Sequence, residues 1–287
     1  MRLAIIGDEL AQDITTVADT CLAWGFTGIE VRSVFGTRPD QLTDGQLAEI
    51  RRVLADRGLA VAGFAPPVFK TDLPYDSPSV ETARRSLLHA QRQAALLGAP
   101  HVRIFSWYRA GAPDPANAAG IAAEVLSGTD TDLPLLLENG TRTNTPTMTQ
   151  AMEFLDRLGR DDVGVLWDPG NSVFSGWGTD PFPRDYLLAH ERIRHVHVKD
   201  PRGQAEYVRL GEGDLPWPDI LQRLATDRYD GFLSLETHWR IGRVLDQRQR
   251  DEPWGERFSA GGFDATVACM RQLKHWCGEV LAGGTVR

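Results

Sequence analysis

Apolar residues along this chain fall into short runs, each followed by a stretch with helical spacing. Residues 3–7 predict a first strand closing on Asp8 and Glu9. Residues 14–25 follow with Val17, Cys21 and Trp24 at helical spacing and Gly25 as a stop. In the second strand, 28–32, Ile29 and Val31 pack outward on helices while Glu30 and Arg32 point inward. Residues 42–57 read as an amphipathic helix opened by the capping pattern Thr43-x-x-Gln46 and ended by Gly58. A third strand (59–65), a proline-rich loop (66–78), a long helix (80–97) and a fourth strand (101–106) come next. Helices at 116–126, 147–158, 185–191 and 218–224 separate the remaining strands, and a last helix covers 263–281.

Strand and helix thus alternate eight times, the pattern of an α/β fold of the (β/α)8 TIM-barrel type in a single domain spanning 1–287. A doubly wound open sheet is the alternative. It normally has fewer repeats and a glycine-rich phosphate turn after its first strand, where this chain has G-D-E-L. Residues 238–262 form a polar insert, rich in Arg and Asp, that reads as a lid or a dimer contact.

The last four strands each deliver a charged or imidazole side chain near the C-terminal end. They are L-P-L-L-L-E with Glu138, V-G-V-L-W-D with Asp168, R-H-V-H-V-K-D with His197, and F-L-S-L-E with Glu236. In a β/α barrel the loops at that end form the active face. Three carboxylates brought together away from water repel one another unless a cation neutralises them. Glu138, Asp168, His197 and Glu236 therefore read as ligands of a divalent metal. Three acid oxygens and one imidazole suit Mn²⁺, with Mg²⁺, Co²⁺ or Fe²⁺ as alternatives; zinc more often recruits Cys or further His. Four protein ligands leave two octahedral positions for adjacent sugar oxygens.

Composition narrows the partners. The net charge of −8 argues against nucleic acid, whose phosphates are bound by Lys and Arg. No run of about 18 apolar residues occurs, so no membrane span is expected. Cys21, Cys269 and Cys277 form no C-x-x-C pair, and the first residues, M-R-L-A-I-I-G-D, lack the apolar length of a signal peptide; both fit a reduced, cytoplasmic protein.

The segments L-L-L-E-N, L-W-D-P-G-N, I-R-H-V-H-V-K-D, L-G-E-G-D-L-P-W and G-F-L-S-L-E together resemble the xylose isomerase-like TIM-barrel superfamily, in its sugar phosphate isomerase/epimerase branch. The resemblance implies a metal held by Glu138, Asp168, His197 and Glu236. It also implies an acid–base pair, Glu138 and Glu236, that moves a proton beside a carbonyl while the metal stabilises the enediolate. It points to a small sugar or polyol substrate and to a homodimer or homotetramer. Two departures stand out. The ketose epimerases carry a His three residues after the sixth-strand Asp, where this chain has Asn171, which bonds a hydroxyl but takes no proton. Their Arg after the seventh-strand His is offset by about one position to Arg202.

Further substrate contacts are expected from Lys199, His238 and Trp107, with Trp167, Trp239 and Phe64 as other aromatic wall candidates. Lys199 instead pairs with Asp200 or Glu212 if it does not hold a sugar oxygen. Glu212 reads as a turn cap, His195 as a hydrogen-bonded core residue and His101 as structural; Glu30 and Arg32 read as a mutual pair or, because inward charges in a barrel are costly, as part of a site. The leading expectation is an isomerase or epimerase of a small sugar or keto-sugar. A lyase or dehydratase on a keto-inositol or 3-keto glycoside is the alternative. An apurinic endonuclease needs extra His on strands two to four, where Arg32 and Ala65 stand, and a sugar-binding protein without turnover is a fourth reading.

Overall fold

Eight apolar runs become parallel strands in the computed structural model, which describes residues 1–129, 133–178 and 180–283. These are β1 (Arg2–Ile6), β2 (Gly28–Val31), β3 (Ala60–Val68), β4 (Val102–Ile104), β5 (Leu135–Glu138), β6 (Val163–Trp167), β7 (Ile193–Val198) and, after a two-stranded excursion, β10 (Phe232–Leu235). The excursion is an antiparallel hairpin of β8 (Asp200–Arg202) and β9 (Glu206–Val208). The eight parallel strands close in the order β1-β10-β7-β6-β5-β4-β3-β2, with helices between them, a single-domain TIM barrel. Among the described residues no helix is long and apolar enough to cross a membrane.

Outward-facing Ile29, Val31, Val165, Val196, Val198, Leu233 and Leu235 are buried in one continuous apolar cluster against the helices. The helix ends follow the local chemistry of the chain. Thr43 and Gln46 form the full capping box of helix Asp44–Ala55, and Gly25 closes helix Ile14–Trp24 at φ 74°. The barrel interior is layered. Ala4, Ala62 and Phe232 plug its N-terminal end. Above them lies a buried polar layer with Glu30, His101, His195 and Ser234. His101 lies so close to β3 that a Cβ on Gly63 would stand 2.6 Å from its Nε2, so position 63 admits only glycine without a shift.

Three features depart from the sequence reading. β3 runs on through Pro66 and Pro67 to Val68, because the register against β4 shifts between Phe64 and Val68 and leaves the prolines outside the ladder. The helix Pro169–Phe174 and the β8–β9 hairpin were not expected from the apolar pattern, since both are short and mostly built from turn residues. The 238–262 insert contains two short helices, Gln247–Asp251 and Gly255–Ser259.

Candidate metal centre and substrate cavity

Register carries the four candidate ligands to one place. Glu138 is the last residue of β5, Asp168 follows β6, His197 lies in β7 beside Ser234 of β10, and Glu236 follows β10. All four are buried, and each offers a ligand atom within 4.8 Å of the others. His197 Nδ1 stands 3.6 Å from Glu138 Oε1, 3.6 Å from Asp168 Oδ2 and 3.4 Å from Glu236 Oε2.

The orientation of His197 is set from behind. Its Nε2 lies 3.1 Å from Oε1 and 3.2 Å from Oε2 of Glu30, so Nδ1 is left for the centre. Glu30 also lies 2.8 Å from Nε2 of His195, which in turn lies 2.8 Å from Ser234 Oγ. Burial would raise the Glu30 carboxyl, but His197 and His195 hold it well below the usual range. Burial opposes charge on His197 too, yet Glu30 and Glu138 hold its pKa well above the ordinary histidine value. Glu30 therefore pairs with two histidines and not with Arg32, while His195 is the bonded core residue that its depth in the strand predicts.

Arg32 reaches the other way, with NH2 2.8 Å from Asp8 and 2.9 Å from Glu9, and NH1 2.5 Å from Glu236 Oε1. Lys199 extends over the centre, with Nζ 2.7 Å from Asp168 Oδ2 and 2.5 Å from Glu236 Oε2. Neither Asp200 nor Glu212 is its partner. Asp200 accepts from the backbone of Gly211, Gly213 and Leu215, and Glu212 lies exposed in that loop. Room for Lys199 comes from Gly170, where a Cβ would stand 2.8 Å from the lysine Cγ. Burial raises Glu236, but Lys199 first and then His238 hold it well below the carboxylate range. Burial likewise raises Glu138, and Arg103 followed by His197 brings it down to about 2.

Asn171 sits in the first turn of helix Pro169–Phe174, whose N-cap is Asp168: Oδ1 accepts from Asn171 N at 2.9 Å, leaving Oδ2 for the centre. Asn171 Nδ2 donates to Glu138 Oε1 at 2.9 Å, and Tyr207 Oη donates to Asn171 Oδ1 at 3.3 Å. His238 is held at a left-handed φ of 47° by Glu9, which accepts from its backbone N–H at 3.0 Å and lies 2.8 Å from its Nδ1. Its ring borders the cavity, and Nδ1 stands 3.8 Å from Glu236 Oε1.

The cavity over these residues encloses about 270 Å³, the size of a monosaccharide-scale ligand. Its aromatic wall consists of Phe105, Tyr108, Phe174 and Tyr207. Trp107 does not contribute: a φ of 56° turns it into the core, where it is fully buried and stacked on Phe69 at 4.4 Å. Phe64 and Trp167 are equally buried, and Trp239 packs against the core. Arg202 is exposed on the β8–β9 hairpin, paired with Glu206 at 3.1 Å and not among the residues lining the cavity, while Tyr207 of the same hairpin faces it. Gln247, Arg250, Asp251 and Pro253 of the insert roof the cavity.

Sequence reasoning missed Arg103, Asn139 and Tyr207. Arg103 lies 3.0 Å from Glu138 Oε2 and was signalled by the alternation H-V-R-I. Asn139 clamps Asp168, accepting from its N–H at 2.9 Å and donating to its carbonyl at 2.7 Å. Tyr207 had no signal, since the hairpin that carries it was not foreseen.

The donor set fits a cation. His197 Nδ1 is buried without a hydrogen bond and faces one oxygen each of Glu138, Asp168 and Glu236 at 3.6, 3.6 and 3.4 Å, while Lys199 and Arg103 supply part of the neutralising charge from the sides, at 2.7 Å from Asp168 Oδ2 and 3.0 Å from Glu138 Oε2. Three buried carboxylates converging on an unpartnered imidazole nitrogen are costly to assemble without cationic charge at that point.

Fold and site together define a closed β/α barrel whose C-terminal mouth gathers acids and an imidazole beneath a small polar cavity. Residues 18–259 match the xylose isomerase-like TIM barrel family, and the chain belongs to it. The rhizopine catabolism protein MocC of Rhizobium meliloti is 32% identical over 112 residues, 31% of this chain and 33% of that protein, so the match spans only a third of its length. An inosose dehydratase of Clostridium botulinum is 22% identical over 250 residues, 77% of this chain and 80% of the enzyme. The structure of L-ribulose 3-epimerase superposes with a TM-score of 0.73 at 18% identity, covering 99% of this chain and 96% of that one.

Proposed function

We propose that this protein is a divalent-metal-dependent enzyme that isomerises or epimerises a small sugar or keto-sugar by removing a proton next to a carbonyl. The observation that carries this reading is the convergence of Glu138, Asp168, His197 and Glu236 from four adjacent staves, with ligand atoms within 4.8 Å. Mn²⁺ suits this set best, with Mg²⁺, Co²⁺ and Fe²⁺ next and Zn²⁺ last. When bound, such an ion supplies positive charge opposite the oxyanion that grows as the proton leaves.

The side chains of this protein account for the rest. Glu138 lines the cavity, with Arg103 3.0 Å from its Oε2 holding it ionised, which makes it a carboxylate placed to take the proton. Asn171 fixes the rotamer of Glu138 by donating to its other oxygen. Glu236 borders the same cavity from three staves away, so the two carboxylates flank a bound sugar as epimerisation requires. Lys199 and His238 offer donors for sugar oxygens. We place the enzyme in the cytoplasm, with its three buried free cysteines reduced, as a homodimer or homotetramer.

Asn171 favours a second reading. An amide beside Glu138 cannot return a proton, so proton removal followed by loss of a β-leaving group, as in a dehydratase or lyase on a keto-inositol or 3-keto glycoside, uses the same residues. The similarity to an inosose dehydratase over 77% of the chain supports that class.

Incubation of the Mn²⁺-loaded protein with a keto-sugar panel in D₂O, followed by NMR, tests both. Deuterium entering an epimerised or recovered sugar supports the first reading, and enone signals support the second. Absence of exchange and elimination across the panel refutes the proposal.

A further inference from the structure

The cavity is far more cationic than the chain around it. Seven Lys or Arg side chains border it against three carboxylates, in a protein whose net charge is −8. Four of the seven are neutralised: Arg32 and Lys199 by the metal-centre acids, Arg103 by Glu138, and Arg142 by Asp251 at 2.5 Å. The other three differ. Among the described residues, Lys70, Arg109 and Arg250 have no carboxylate partner and donate to backbone carbonyls, Lys70 to Asp251 at 2.9 Å, Arg109 to Thr141 at 2.6 Å and Arg250 to Leu245.

The three are half-buried around one cavity, over the rings of Phe105, Trp177 and Phe174 at 5.3, 5.8 and 5.1 Å, and part-buried cations without a paired carboxylate are costly to desolvate. A divalent ion in the acid cluster would add to the excess. A neutral sugar would leave this charge uncompensated, whereas a carboxylate or phosphate would offset it with charge-assisted hydrogen bonds. The three come from different parts of the chain: the loop after β3, the loop after β4, and the insert that roofs the cavity. They are therefore brought together only by the fold.

Resting on the proton-abstraction reading above, we infer that the substrate carries an anionic group, a carboxylate or a phosphate, bound by Lys70, Arg109 and Arg250 while its carbonyl end faces Glu138 and Glu236. The substrate class is then a sugar acid, a cyclic keto acid or a sugar phosphate, and not a free neutral ketose.

Isothermal titration of the full chain, with and without Mn²⁺, tests this with three probes: D-fructose, D-fructose 6-phosphate and D-glucuronate. The expected result is that at least one anionic probe binds about tenfold or more tightly than fructose, as one charged hydrogen bond provides. That advantage should shrink with added salt and in Lys70→Ala, Arg109→Gln and Arg250→Gln. The tighter of the two anions assigns the group as phosphate or carboxylate. Equal binding of all three probes, binding of none, or an anion advantage that survives all three variants overturns the inference. Mn²⁺ affinity measured on the same samples keeps the two claims apart. A chain that binds no Mn²⁺ but keeps its anion preference refutes the metal-enzyme reading alone. One that binds Mn²⁺ and epimerises neutral ketoses without anion preference refutes this inference alone.

Discussion

Glu30, on the second stave, lies 3.1 Å from Nε2 of His197 on the seventh, and this contact across the barrel decides which imidazole nitrogen faces the acid cluster. A carboxylate behind a metal-binding histidine fixes the tautomer and raises the ring's basicity. Glu30→Gln should therefore weaken Mn²⁺ binding by about 10- to 100-fold, while Glu30→Asp recovers part of the loss. Titration of Mn²⁺ into metal-free protein measures this without reference to turnover; unchanged affinity in Glu30→Gln would remove the residue from that role.

Glu138→Gln should lower kcat by about 10²- to 10⁴-fold, the usual contribution of a positioned base, with circular dichroism unchanged. Glu236→Gln should do the same, and it also releases Arg32 and Lys199, both 2.5 Å from its oxygens. Full activity in either variant would exclude that carboxylate from the proton path.

Metal removal should act on stability as well as activity. An ion that binds only the folded chain adds about 2.7 kcal/mol at a hundredfold excess over Kd. EDTA should lower Tm and abolish turnover, and Mn²⁺ should restore both. A melting curve indifferent to chelator would contradict a cation in the cluster.

The cationic cavity predicts a pH dependence. Burial, and then Arg103, brings Lys70 from 10.5 down to about 8, against the opposite pull of Glu138, Asp251 and Glu236. A lysine so lowered is charged below pH 8 and neutral above it, so affinity for an anionic probe should be full near pH 7 and fall between pH 8 and 9. The other two cations are guanidinium groups, a type that does not titrate in this range, which makes the fall partial. Lys70→Met should flatten the profile; an identical slope in that variant would assign the effect elsewhere.

Two positions that look alike in sequence should separate by experiment. Arg202→Ala should leave kcat/KM unchanged, because the side chain is exposed and outside the cavity. Trp107→Ala should cost about 3–5 kcal/mol of stability, as a fully buried indole stacked on Phe69 is lost. Chemical denaturation of both variants measures the difference.

By itself the sequence determined the barrel and the identity of its four central side chains. Alternation places residues on one face or the other of a strand, and a parallel barrel puts every strand's C-terminal end at one mouth, so Glu138, Asp168, His197 and Glu236 were legible from local pattern alone. Contacts between distant staves were not legible. Local pattern left Glu30 and Arg32 open between pairing with each other and serving a site; in the fold Glu30 turns to His195 and His197, and Arg32 to Asp8, Glu9 and Glu236. Only the closure of the barrel decides that choice, because charges facing its interior meet partners across the axis. The same holds for Trp107, turned inward by one left-handed φ, and for Lys70, Arg109 and Arg250, which line one cavity although up to 180 residues separate them. Periodicity records which way a side chain leaves its own strand; its partner depends on chain closure and loop path, which no local pattern encodes.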